Sequence, residues 1–242
     1  MDTLWLQFVQ WLHRVGLHVD AGVAQGVAEG AAQVTQKLDM PSLLALAAAL
    51  GWASGFRLYA VVFLVGGMGA LDWLALPPGL LVLQHPAVLL ASGFMLAVEF
   101  FADKVPLLDS AWDTLHAFIR IPGGALLAAG VFGGDNTTMG VVAGLLGGSL
   151  AATSLATKMA TRAAVNTSPE PFSNGLVSLF EDGLVVAVVW LATQHPLWFG
   201  VALVVMLLLS ALLLVVLFQF LRAVLQRLRR IPSFFSGSAK VV

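Results

Sequence analysis

Between Pro196 and Leu221 the chain reads PLWFGVALVVMLLLSALLLVVLFQFL, without a single charged side chain. A bilayer core is crossed by a helix of about 20 such residues. Comparable apolar stretches recur near 42–68, 86–103, 115–134, 137–160 and 174–193. Charged residues make up only 10% of the chain, against about a quarter in a soluble domain. Strands of a membrane barrel would instead show alternating segments of about ten residues, and none appear. The sequence predicts an all-α integral membrane protein, a bundle of about six transmembrane helices with the lipid bilayer as its solvent.

Three parts are expected. Residues 1–40 form an N-terminal segment, 41–221 the bundle and 222–242 a basic tail. In the first, Trp5, Phe8, Leu12, Val15 and Val19 recur at helical spacing opposite Gln7, Gln10, Arg14 and His18, which predicts an amphipathic helix at the membrane interface. Gly22, Gly26 and Gly30 follow as a linker. In the bundle, Pro122-Gly123-Gly124 interrupts the third span, which is expected to be broken or re-entrant. Six spans also divide as three plus three, the plan of inverted-repeat transporters. Acid pairs in the second span (Glu99, Asp103) and the fifth (Glu181, Asp182) fit that division.

Lysine and arginine favour the cytoplasmic side. The loops near 69–85, 134–136 and 194–196 contain neither, whereas Arg14, Lys37, Lys104, Lys158, Arg162 and the tail fall on the opposite side. Both termini are therefore expected in the cytoplasm. No cysteine is present, which excludes disulfides, thiolate metal sites and cysteine nucleophiles. A net charge of −1 and the lack of a basic stripe argue against a nucleic-acid partner.

The segment EFFADKVPLLDSAWDTLHAFIRIP, Glu99 to Pro122, gathers charge in an otherwise apolar chain. Glu99 and Asp103 share a helix face. Asp109, Asp113, His116 and Arg120 follow at i, i+4, i+7 and i+11, one polar stripe on the next helix. Arg57 lies near the middle of the first span, and Glu181 and Asp182 about two turns inside the fifth. Ionisable groups at such depth face a cavity or a partner, so Arg57 is expected to pair with Glu99, Glu181 or Asp182. Arg162 opens a second polar connection, TRAAVNTSPEPFSNG. The fourth span carries a small-residue stripe (Gly140, Gly144, Gly148, Ala152), which predicts a place at the bundle centre. Beside it, Ser149, Thr153, Thr157 and Thr161 either line a polar path or bond to their own backbone.

EFFADKVPLLDSAWDTLHAFIRIPGGALLA, TKMATRAAVNTSPEPFSNGLVSLFED and the glycine-rich first span with SGFRLYA resemble a bacterial multi-pass membrane family catalogued as a domain of unknown function. The resemblance runs from about Pro41 to the end of the sixth span and implies a bacterial inner-membrane location. It brings no activity, substrate or site residue.

No nucleotide-binding loop, nucleophile elbow or zinc-protease motif is present, and no cofactor or metal is expected. The leading expectation is a small transporter or channel with a charged intramembrane path made of Arg57, Glu99, Asp103, Asp109, Asp113, His116, Arg120, Arg162, Glu181 and Asp182. It would pass a small solute, an ion or a lipid. One alternative is an accessory or scaffold subunit, in which the charges only lock helices together; a homo-oligomer is compatible with either. The other is an intramembrane enzyme acting on a lipid head group, with Asp109, Asp113 and His116 as metal ligands or as acid and base.

Overall fold

The computed structural model describes residues 39–105, 108–133, 136–167 and 171–229. The expected N-terminal amphipathic helix, its linker and the chain beyond Arg229 lie outside the described residues. Six α-helices follow in order: α1 (Met40–Ala70), α2 (Pro86–Ala102), α3 (Leu108–Val131), α4 (Thr137–Val165), α5 (Pro171–Gln194) and α6 (Pro196–Arg229). A 310 segment, Pro78–Gln84, precedes α2. Among the described residues there is no strand. Five of the helices are long and apolar enough to cross a membrane, and a sixth span arises if the 310 segment and α2, bent by 70°, count as one. The all-helical membrane bundle is thus observed.

Helix starts follow local chemistry. The Asp39 side chain accepts from Ser42 N at 3.2 Å, with Pro41 in the first turn. His85 Nδ1 accepts from Ala87 N at 3.2 Å ahead of Pro86. Asn136 accepts from Met139 N at 3.0 Å at the start of α4.

The chain breaks in the first helix, not the third. α3 remains helical through Pro122, whereas α1 leaves helical geometry at Arg57 (φ −149°, ψ 82°). Before the break, α1 runs alongside α4: a Cβ on Gly51 would fall 2.6 Å from Gly147 Cα, and one on Gly55 2.0 Å from Ser154 Oγ. After it, the neighbours change. Gly123 faces Leu58, Gly93 faces Phe63 and Gly66 faces Leu83.

The direction of the second half follows from these contacts. Gly79, a few residues before Leu83, lies against Gly130 of α3, while Ala128 lies against Gly147 and so beside Gly51. In a straight helix Gly51 and Gly66 would be about 22 Å apart along the axis, and the short 310 segment could not then reach both Gly130 and Gly66. The second half of α1 therefore leads back toward the end from which the first half came.

One expectation changes with that path. Pro41 and Pro196 line one groove, so α1 begins where α6 begins. Ser210 and Leu213 of α6 lie level with Lys158 and Glu181, and the helix continues to Arg229 beyond them. The first described turn of α1 and the last of α6 thus lie at opposite ends of the bundle; this does not place the termini themselves, which lie outside the described residues. Nor do the halves repeat one another, because α1 turns back where α4, its counterpart in a three-plus-three plan, runs on without interruption.

The most buried helix is α1, not α4. The small stripe of α4 does allow close approach, but to α3: Gly144 faces the Ala125 carbonyl and Gly148 the Ala125 methyl. A second small face, Gly147, Ala151 and Ser154, receives α1. Every hydroxyl of the Ser149–Thr161 stripe donates to the carbonyl four residues earlier, at 2.8–2.9 Å. The hydroxyls therefore donate within their own helix, the second of the two expected roles. Thr153→Val is accordingly expected to change stability by less than about 0.5 kcal/mol and to leave any flux intact, as read by denaturation in detergent and by proteoliposome assay.

Candidate functional site

Where α1 breaks, four cations and five carboxylates from five helices and the end of α2 meet. Arg57 Nη2 lies 2.9 Å from Asp103 Oδ2 and donates to Ser178 Oγ at 2.7 Å, and its Nε is 2.7 Å from Asp182 Oδ1. Glu181 is at 4.0 Å. Arg120 binds Glu99 and, at 2.7 Å, Asp113. Arg162 reaches Glu181 at 2.9 Å, Asp103 Oδ2 at 3.4 Å and the Asp103 carbonyl at 3.0 Å. Lys158 stands between the groups, 3.1 Å from Asp113, 3.5 Å from both Asp103 and Glu181, and 3.9 Å from Glu99.

Lys158 also holds the break. The carbonyl of Phe56, last residue before Arg57, accepts from Lys158 Nζ at 3.2 Å. A cation at the carbonyl end of a half-helix is further favoured by the helix dipole. One turn earlier on α4, Ser154 Oγ donates to Trp52 O at 2.6 Å. Ser154, Lys158 and Arg162, each four residues apart, thus form one polar face directed at the first half of α1 and the carboxylates.

All four cations, with Glu99, Asp103, Asp113 and Glu181, are buried; the Asp182 side chain alone keeps substantial exposure, 29%. Desolvating each ion costs several kcal/mol, which only close opposite charges offset. Just past the end of α2, the buried Asp103 carboxylate is offset by three cations, Arg57, Lys158 and Arg162. Glu99, Asp103 and Asp113 each use one oxygen, leaving Glu99 Oε2, Asp103 Oδ1 and Asp113 Oδ2 without a hydrogen-bond partner among the described residues.

Of the residues expected to share a path, Arg57, Glu99, Asp103, Asp113, Arg120, Arg162, Glu181 and Asp182 come together. Arg57 pairs with Asp182 and Asp103, while Glu99 is taken by Arg120. His116 stays outside: its Nδ1–H donates to the Trp112 carbonyl at 2.9 Å and its ring stacks on Trp112 with centroids 4.1 Å apart. The Asp109 side chain is outside the described structure. Among the described residues no group of acids and histidines is arranged to hold a metal ion. Lys158 was missed by sequence reasoning, although its spacing from Ser154 and Arg162 on one helix face would have found it.

No curated protein and no solved structure matches the chain. A family model described as "Domain of unknown function (DUF4126)" matches residues 44–216, which hold both halves of α1 and every member of the charge cluster. The chain therefore belongs to that family.

Proposed function

We propose that the protein is a small membrane transporter or channel whose gate is the charge cluster at the turn of α1. The observation that supports this reading best is the break at Arg57, inside the bundle and held by carboxylates from α2 and α5. Non-helical backbone at membrane depth is tolerated only where protein buries it or a cavity takes it up, and broken helices build the ion and substrate sites of transporters. A bundle needing only stability would gain as much or more from apolar packing, because buried ion pairs contribute little net stability. Alternating charges on five helices can instead exchange partners, and the three unshared carboxylate oxygens are acceptors available for such an exchange.

Orientation follows the basic residues. Lys104 and the arginines late in α6 lie toward the cluster end, and the connections at the other end hold neither lysine nor arginine. In this reading the cluster end faces the cytoplasm across the inner membrane.

One observation favours a second reading, an accessory subunit: α6 is both the most apolar helix and the least buried, a surface suited to lipid or to another membrane helix. Purified protein in proteoliposomes, given imposed gradients of protons, alkali cations, halide and phosphate, separates the two. Flux of at least one of these, abolished by Lys158→Met, is expected. Folded protein that moves none of them, and that purifies in a fixed complex, would replace the transport reading with the accessory one.

A further inference from the structure

The cluster does not balance. Against the four cations Arg57, Arg120, Lys158 and Arg162 stand five carboxylates, Glu99, Asp103, Asp113, Glu181 and Asp182, all within one ion-pair network. Four of the acids have side chains no more than 3% exposed. Each of those touches at least two cations, so protonating any of them would strand positive charge in the interior.

Asp182 differs on both counts. Among the described residues it touches a single cation, Arg57, through its Nε, and Arg57 keeps Asp103 and Ser178 as partners if that contact is lost. Its side chain opens on a groove of about 360 Å³ between α1, α2 and α5, walled by Ala60, Leu64, Leu96, Phe100 and Val186. The charged groups around it are Arg57 from α1, Glu99, Asp103 and Lys104 from α2 and its end, Lys158 and Arg162 from α4, and Glu181 from its own helix. Asp113 and Arg120 of α3 lie behind these. The membrane-spanning part of α6 brings no charge.

We propose that Asp182 is the proton-exchange site of the cluster, taking up one proton through this groove and releasing Arg57 Nε as it does so. The proton enters from the medium and bonds to an Asp182 carboxylate oxygen. Counted over the ion-paired groups alone, the network passes from a formal charge of −1 to 0, with Lys104 beside it. Arg57 sits at the break of α1, so the exchange acts on the one residue at which that helix leaves helical geometry. The inference deepens the transport reading by naming the proton as the ion that the gate senses.

Dicyclohexylcarbodiimide, an apolar reagent, tests the site without any mutation. It adds only to a protonated carboxyl: the proton goes to a carbodiimide nitrogen and the carboxyl oxygen to the central carbon, and the adduct rearranges to a stable acylurea. Intact protein in liposomes is labelled across a pH series and mapped by mass spectrometry. The expected result is an adduct at Asp182 whose rate rises about tenfold per pH unit lowered, until it saturates, and which is absent from Asp182→Asn. An adduct at Asp182 that ignores pH, no adduct at all, or labelling centred on Glu99, Asp103, Asp113 or Glu181 would overturn the proposal. The flux assay separates the two readings. Labelling as expected with no flux keeps the site and removes the transport reading, while flux without Asp182 labelling does the reverse.

Discussion

Arg57→Gln is expected to lose about 3–5 kcal/mol of stability, the range found when one member of a buried ion pair is removed. The cause is not the lost contacts alone. Asp103 and Glu181 would keep their charges in a site from which water is excluded, and the Ser178 hydroxyl would lose its donor. Asp103 still has Lys158 and Arg162, so the greater strain falls on Asp182 and on the break itself. The double variant Arg57→Gln/Asp182→Asn should therefore recover part of the loss, while Arg57→Gln/Asp113→Asn, which disturbs a group that Arg57 does not touch, should be worse than either single change. Arg57→Lys should rescue poorly, because one ammonium cannot span Asp103, Ser178 and Asp182 as a guanidinium does. Reversible unfolding in detergent measures all four. Equal losses for the two double variants would show that Asp182 and Arg57 are not coupled.

Much of the bundle was legible because lipid imposes a simple rule: a long apolar run is a helix, and its ends lie at Pro, Asn, Asp or His that cap it. That rule found α2 and α5 within about three residues and the starts of α4 and α6, which run about five and eight residues past their expected ends. It misplaced the break for a physical reason. Pro122 removes one donor and crowds one carbonyl, but its neighbours Gly123 and Gly124 let α1 and α4 press against α3 and keep it helical. At Arg57 no proline marks the turn; the chain breaks there because tertiary partners, Lys158 on the Phe56 carbonyl and carboxylates on the guanidinium, outweigh local preference. The charge cluster was legible for a similar reason in reverse. Charge in a membrane is so costly that an intramembrane ion nominates itself; Lys158 escaped because its place near the end of its span fits a basic residue of the cytoplasmic side. Who pairs with whom was not legible, since Arg57 reaches Asp103 across the break of α1, and Arg120 reaches Glu99 only where α3 and α2 meet in the folded bundle.

Gly55→Ala is expected to be the most damaging single-methyl addition in α1, costing at least the 1–3 kcal/mol typical of an overpacked core. The new methyl would lie 2.0 Å from Ser154 Oγ, 2.2 Å from the Ala151 carbonyl oxygen and 2.8 Å from Leu155 N. Ser154 could rotate away, but the other two are backbone atoms of α4 and cannot. The half-helices must then separate, and Lys158 is drawn off the Phe56 carbonyl that it caps, so damage spreads to the cluster. Gly67→Ala supplies the control on the same helix. Nothing lies within 4 Å of its added methyl, and alanine in a helix interior is favoured over glycine by roughly 0.5–1 kcal/mol, so that variant should be neutral or more stable. The same chemical change thus gets opposite signs at two positions twelve residues apart. Ser154→Ala in the Gly55→Ala background decides which contact matters. Removing the hydroxyl should restore little, because the Ala151 carbonyl remains in the way. Full restoration would mean that only a side chain stands between the helices, and that the turn of α1 is held far less tightly than its backbone contacts imply.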